Sequence, residues 1–265
     1  MSGKKTRRQV LLGIGTGTTI ALAGCSSPGG EGTATETGTE TETGTGMETE
    51  TGTETMSTGS VRAAHMSPDA PNVDIYVDGD AVLEDVAFGT ISGYLDAPAG
   101  DREVEITAAG SPDTVVFSGT VPVAADTAYT LAAVGEISDG ADQAFEVLVL
   151  EDDNSDPDSG NARVRLVHAS PDAPAVDVTL ESNGSAVYDG AAYGDSVYAS
   201  VPAGDYTLQV RPDTENNDGD VAASFDVSVA DGEVYTAFAA GYLTPDDDPA
   251  DTGFDLFVAQ DTGGM

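Results

Sequence analysis

The chain has 265 residues, room for one or two domains, with 47 acidic against nine basic residues and a formal net charge of −38. Four of the basic residues lie in the first eight positions; beyond them stand five arginines and no lysine against 47 acids, a net of −42. That balance repels phosphate groups and excludes nucleic acid and anionic lipid headgroups as partners, and a single cysteine excludes an internal disulfide. The acids are spread along the whole length, which points to adaptation to molar salt, where the Debye length falls to ~3 Å and like charges can crowd.

Residues 1–25 read as an export signal. Lys4, Lys5, Arg7 and Arg8 precede the apolar run Val10 to Ala23, which Gly13, Gly15 and Gly17 interrupt. Fourteen residues are too few to cross a hydrocarbon core of ~30 Å as a helix. Thr6 to Leu12, with Arg7 and Arg8, resembles a twin-arginine signal, the route for folded cargo. Leu22-Ala23-Gly24-Cys25 looks like a lipobox, so Cys25 is the expected lipidation site. The expected location is the outer face of the cell membrane, with the lipid on Cys25 as the membrane contact.

Residues 26–60 are almost entirely Thr, Glu, Gly and Ser, with no aromatic residue and no apolar period. Such a segment cannot offset its ordering entropy and is expected to be a disordered stalk. As a flexible coil it spans roughly 30–35 Å, and more because its glutamates repel one another.

From Val61 the chain repeats. Val61 to Asp74 aligns without a gap with Val164 to Asp177, and ten of the fourteen positions are identical. Further on, Ala87-Phe88-Gly89 answers Ala192-Tyr193-Gly194, Pro98 to Asp101 answers Pro202 to Asp205, and Gly135 answers Gly241. The expected units are residues 61–151 and 162–261, joined by a polar linker at 152–161.

Within each unit the period is two. Val73, Ile75 and Val77 alternate with Asp74 and Tyr76, as Val176, Val178 and Leu180 do with Asp177 and Thr179. Each run reads as a half-buried strand. Asp78-Gly79 and Asn183-Gly184 follow at matching places and suit tight hairpin turns. Further strands are predicted at Ser92–Ala97, Glu103–Ala108, Val115–Thr120, Ala128–Val134 and Ala144–Leu150, with equivalents in the second unit. No sustained helical period follows Gly24. Seven or so short strands per unit predict an all-β chain of two tandem immunoglobulin-like β-sandwich domains, without the Cys pair and Trp of antibody domains.

The pattern H-x-S-P-D-A-P-x-V-D, then F/Y-G, then P-A-G, then a Tyr-Thr strand, resembles the domain-of-unknown-function 4397 family. The resemblance covers about residues 61–261 and implies tandem immunoglobulin-like domains on the cell exterior. It implies no activity.

The repeated motif holds the only two histidines of the chain, His65 and His168. Alternation with Val61 and Ala63, and with Val164 and Leu166, puts each at the inward end of an apolar strand face. There it can bond a backbone carbonyl or the carboxylate of Asp69 or Asp172. The prolines stiffen the loop, and Ser67, Asp69, Ser170 and Asp172 can cap free N–H groups. Asp74 and Asp177 close the motif. The pattern reads as architecture: a zinc site needs three or four ligands and each unit offers one His and no Cys, and Ser and Asp so close in sequence to the His are poorly placed for a triad. No catalytic residue, metal ligand or cofactor is expected.

Asp152, Asn154, Asp156 and Asp158 alternate like a calcium loop, but Pro157 and Arg163 occupy the positions where Gly and Glu are required. Thr244 to Pro249 is a second acidic loop; weak cation binding by either is left open. Asn183-Gly184-Ser185 is a formal N-glycosylation sequon on a hairpin tip. The expected role is binding, adhesion or envelope structure at the surface, toward a protein or glycan partner, without catalysis. The alternatives are a calcium-dependent adhesion module and a hydrolase using the His-x-Ser-Pro-Asp loop.

Overall fold

The computed structural model describes residues 57–245 and 250–261. Sixteen strands and no helix occur among them. The first repeat contains β1 (Thr58–His65), β2 (Val73–Val77), β3 (Asp80–Val86), β4 (Leu95–Pro98), β5 (Gly100–Ala108), β6 (Ser111–Val123), β7 (Ala128–Val134) and β8 (Glu146–Asp152). The second contains β9 (Asn161–Ala169), β10 (Val176–Leu180), β11 (Ala186–Ala191), β12 (Ser196–Pro202), β13 (Gly204–Pro212), β14 (Ala223–Val229), β15 (Val234–Ala240) and β16 (Asp255–Gln260).

These form four sheets of four strands, ordered β4-β1-β7-β8, β3-β2-β5-β6, β12-β9-β15-β16 and β11-β10-β13-β14. The pairs β1/β7 and β9/β15 are parallel; the others are antiparallel. In each repeat the two sheets enclose an apolar core. Ala63, Ile75, Val104 and Leu131 belong to the first, and Leu166, Val178, Val210 and Ala239 to the second. The all-β sandwich expected from the alternation is therefore present, with eight strands per repeat where about seven were read.

A third core lies between the repeats. Ala64, Met66, Ala132 and Val134 pack with Val167, Ala169, Phe238 and Ala240. These residues come from β1 and β7 on one side and β9 and β15 on the other, with Met66 just past β1. The two sheets that carry these strands are therefore inner sheets, covered on both faces, and the other two are outer sheets. Burying a side chain such as Phe238, which is fully covered, contributes ~1.5–3 kcal/mol.

Several local readings are sharpened. Asp78 (φ 51°) and Gly79 (φ 88°) form the two-residue turn between β2 and β3, with the positive φ at both positions that such hairpins need. Strand β1 starts at Thr58, so Thr58, Gly59 and Ser60, assigned to the stalk from composition, pair with Pro98, Ala97 and Asp96 instead. The strand read at Ser92–Ala97 is β4, and Ile91 makes only an isolated bridge to Ala64. Asp152, assigned to the linker, is the buried last residue of β8. Asp74 and Asp177, read as the solvent side of their strands, are also buried.

Candidate functional site

The repeated histidines are 1% and 0% exposed. Each Nε2–H donates to a proline carbonyl six residues on, His65 to Pro71 and His168 to Pro174, both at 3.0 Å. A carbonyl can only accept, which fixes the proton on Nε2. At His168 the other nitrogen, Nδ1, accepts from the Ser170 amide at 3.3 Å. Burial lowers the pKa of both rings below the usual histidine value, outweighing the opposing backbone bonds.

The aspartates of the motif bond elsewhere. Asp69 accepts from the Ile137 and Ser138 amides, both at 2.9 Å. Asp172 accepts from the Leu243 and Thr244 amides at 2.9 and 2.8 Å and from the Thr244 hydroxyl at 3.0 Å. Each therefore splints the loop after β1 or β9 to the loop after β7 or β15. Ser170 donates to the Gly241 carbonyl at 2.5 Å, while Ser67 is fully buried. Asp74 accepts from the Asp85 and Gly110 amides, and Asp177 from the Gly190 and Thr214 amides, all within 2.8–3.0 Å. The amide bonds hold the Asp74 carboxyl below the usual range.

Gly135 and Gly241 turn the chain out of β7 and β15 with φ of 78° and 90°, and a Cβ at either would stand 2.4 Å from a backbone oxygen. The two splinted loop pairs meet. Tyr242 donates its hydroxyl to Glu136 Oε1 at 2.9 Å, and Thr252 donates to the Pro68 carbonyl at 2.8 Å. Because β1 runs parallel to β7 and β9 to β15, the loops after all four strands lie at one end of the body. Ser57, residues 153–160 and Asp261 lie at the other.

Between the inner sheets, toward the Ser57 end, is a cluster that the sequence reading missed. Arg62 and Arg165, at matching positions of the repeats, are 2% and 0% exposed. Each guanidinium reaches the aspartate of the other repeat: Arg62 Nη2 lies 2.7 Å from Asp261 Oδ1, and Arg165 Nη2 lies 2.6 Å from Asp152 Oδ1. Arg62 also donates to Thr130 at 2.8 Å and to Thr236 at 3.1 Å, and Arg165 donates to both threonines at 3.0–3.2 Å. The threonine hydroxyls donate onward, Thr130 to Asp152 at 2.7 Å and Thr236 to Asp261 at 2.6 Å. Tyr94 and Tyr198 cover the guanidinium groups at 4.7 and 5.3 Å, and Tyr94 donates to Asp152 at 2.5 Å. Two positive and two negative charges thus close a neutral buried set. The available signal was the recurrence of two of five arginines at equivalent positions of the repeats.

The calcium-like spacing in the linker does not assemble. Asp152 is consumed by Arg165, Asn154 donates to the Tyr94 hydroxyl, and Asp153 pairs with Arg163 at 2.8 Å. Three other carboxylates converge instead, those of Asp177, Asp189 and Asp213. Burial first, and then the charges of Asp177 and Asp189, raise the pKa of Asp213. Asn183 is exposed on its hairpin, where its side-chain oxygen accepts from the Ser185 amide at 2.9 Å. Arg7, Arg8, Cys25 and most of the second acidic loop (246–249) lie outside the described residues.

Residues 59–179 match the family model of a domain of unknown function, DUF4397. The resemblance drawn from the decapeptide is thereby shown over the first repeat and the opening strands of the second. The DUF4397 stretch contains both histidine motifs, Arg62, Arg165 and Asp152. No curated protein matches the chain. Among solved structures, the Bacillus anthracis TIE protein is similar at 11% identity and a TM-score of 0.22, over 69% of this chain and 34% of that one. The family CBM26 module CBMbc of Eubacterium rectale Amy13K, solved with maltoheptaose, aligns at 12% identity and a TM-score of 0.24, over 77% and 98%. A streptococcal virulence factor described for alpha-glucan binding aligns at 12% and 0.23, over 75% and 96%.

Proposed function

We propose that the chain is an exported, lipid-anchored surface protein whose paired sandwiches present one composite loop face for binding or adhesion, without catalysis. One observation carries this reading. Strand β1 begins at Thr58, and the loops splinted by Asp69 and Asp172 lie at the opposite end. A tether on the N-terminal side therefore holds the loop face away from its point of attachment. Tyr242 to Glu136 and Thr252 to Pro68 tie the loop sets of both repeats together, and the reciprocal ion pairs join the same repeats nearer the other end, so a partner meets a preorganised surface. The histidines support an architectural motif over a hydrolase: both rings are buried, their Nε2–H groups are committed to carbonyls, and Asp69 and Asp172 serve backbone amides.

The anchor is tested by Cys25→Ser, which should move the protein from the membrane fraction to the medium; retention in the membrane would refute it. The loop face is tested on whole cells. Replacing Ile137 and Leu243 by Ser should abolish adhesion to the cell's natural surfaces at unchanged expression, whereas retained adhesion places the function elsewhere. The acidic surface is read as salt adaptation. Cooperative folding in molar KCl and partial unfolding in dilute buffer are expected, with any monovalent salt equivalent. Selective rescue by millimolar Ca²⁺ over Mg²⁺ would favour the calcium-dependent reading.

A further inference from the structure

Each sandwich opens between its own two sheets into an apolar cleft, of about 270 Å³ in the first repeat and about 300 Å³ in the second. The two clefts are one feature in duplicate. Val61, Val77 and Val104 line the first, and their counterparts Val164, Leu180 and Leu208 line the second. Both lie toward the Ser57 end, where Thr58 pairs with Pro98, and so stand apart from the loop face. An apolar cavity of ~150 Å³ already holds a benzene-sized guest, and ligand sites begin at ~300 Å³. Packing to ordinary density would have closed such a space, yet it persists in both repeats with changed side chains.

The rims differ, and the difference selects a ligand. Position 206 of the second repeat holds Tyr206, whose hydroxyl donates to the Pro202 carbonyl at 2.5 Å. The matching residue of the first is Arg102, whose Nη1 meets Asp78 at 2.9 Å while its Nε is buried with no hydrogen-bond partner. The guanidinium is 24% exposed and its charge is met by Asp78, but the Nε–H itself is covered and lacks an acceptor, which leaves the first cleft one place for an oxygen. Asp78, Asp80 and Asp96 line the same cleft and oppose an anion. The geometry points to a small uncharged amphiphile as the ligand of the first cleft, an alkyl chain ending in a hydroxyl, ether or carbonyl oxygen that accepts from Arg102 Nε. The second cleft takes the same alkyl body with no polar selection. This inference does not rest on the loop-face reading.

The test uses the full chain in 2 M KCl with methyl-labelled valine and leucine, titrated with 1-octanol and with octane by NMR. Saturable shifts are expected at the methyl groups of Val77, Val104, Leu180 and Leu208. The first cleft should favour octanol over octane by about tenfold, the size of one hydrogen bond to a charged donor. Arg102→Met keeps the stem of the side chain and should erase that preference while leaving the second cleft unchanged. Should the variant unfold, an alkyl carboxylate titrated into the parent chain replaces it and is expected to bind the first cleft more weakly than octanol. Shifts that do not saturate, shifts confined to the layer between the repeats, an octanol preference that survives Arg102→Met, or a carboxylate that binds as well as octanol would each overturn the assignment.

Discussion

Strands β7 and β14 show how differently two strands of one fold can be used. Strand β14 alternates Phe225, Asp226, Val227, Ser228 and Val229, with Asp226 and Ser228 facing water. Strand β7 reads Ala-Tyr-Thr-Leu-Ala-Ala-Val and β15 reads Val-Tyr-Thr-Ala-Phe-Ala-Ala, with no charge in either. The outer strand covers one core; the inner strands separate two and are buried on both faces. In so acidic a chain, charge-free strands mark surface that is never meant to meet water. Joining the repeats is thus part of the fold.

The sharpest way to break this contrast is to cut the buried ion pairs. Arg165→Met leaves the Asp152 carboxylate buried with its strongest partner gone and should cost about 3–5 kcal/mol in denaturant unfolding. The unfolding curve should then split into two steps as the repeats uncouple. Adding Asp152→Leu to Arg165→Met should recover most of the loss, since the lone buried charge and not the missing pair is what destabilises. By contrast, Asp226→Asn on β14 should change stability by less than about 0.5 kcal/mol.

A smaller effect is expected at the histidines. His168→Gln disturbs a buried hydrogen-bonded ring and should lower stability by about 1–3 kcal/mol. Both rings have folded pKa values below the unfolded value of 6.5, so the unfolded chain takes up protons first. Stability is therefore full above pH 6.5 and falls as the pH drops below it. The slope is at most about 1.4 kcal/mol per pH unit for each ring. Melting curves between pH 7.5 and 5.5 should show this decline, and the His65→Gln/His168→Gln double variant should flatten it.

The smallest effect concerns the crowded carboxylates of the second repeat. Burial, Asp177 and Asp189 raise the Asp213 pKa, so ionised Asp213 opposes folding at neutral pH and ceases to do so as the pH falls. Asp213→Asn should raise the melting temperature slightly in 0.1 M salt and by less in 2 M, where the repulsion from Asp177 and Asp189 is screened and only the burial cost remains. The loss caused by Arg165→Met, seated out of reach of salt, should be the same in both.

Much of the fold was legible because a strand with one wet face writes its period into the sequence. Val73 to Val77 and the Asp78-Gly79 turn are of this kind. The inner layer was harder to read. Alternation assigns Arg62 and Arg165 to the face away from their own core, and arginine on that face normally means solvent. Only a second sheet on top, with Asp261 and Asp152 arriving from the other repeat, makes such a placement tolerable. Arg62 and Asp261 stand far apart in the chain, and although Asp152 is only thirteen residues from Arg165 it lies across the join between repeats, so local pattern carries no record of either contact. The histidine motif stands between the two cases. Its burial followed from alternation, whereas the bonds from Asp69 and Asp172 to the loops after β7 and β15 depend on parallel pairing of strands over sixty residues apart.

The parallel seating of β1 beside β7 also has a mechanical side. A force applied at Thr58 would act along β1, against any load placed at the loop end. Pairing with β4 and β7 flanks the strand, so their hydrogen bonds are strained together in shear and none can be peeled off first. Arg62, midway along β1, adds a cross-pin into the second repeat through Asp261. Tension applied at the start of β1 would therefore meet far more resistance than tension on a hairpin, which opens bond by bond.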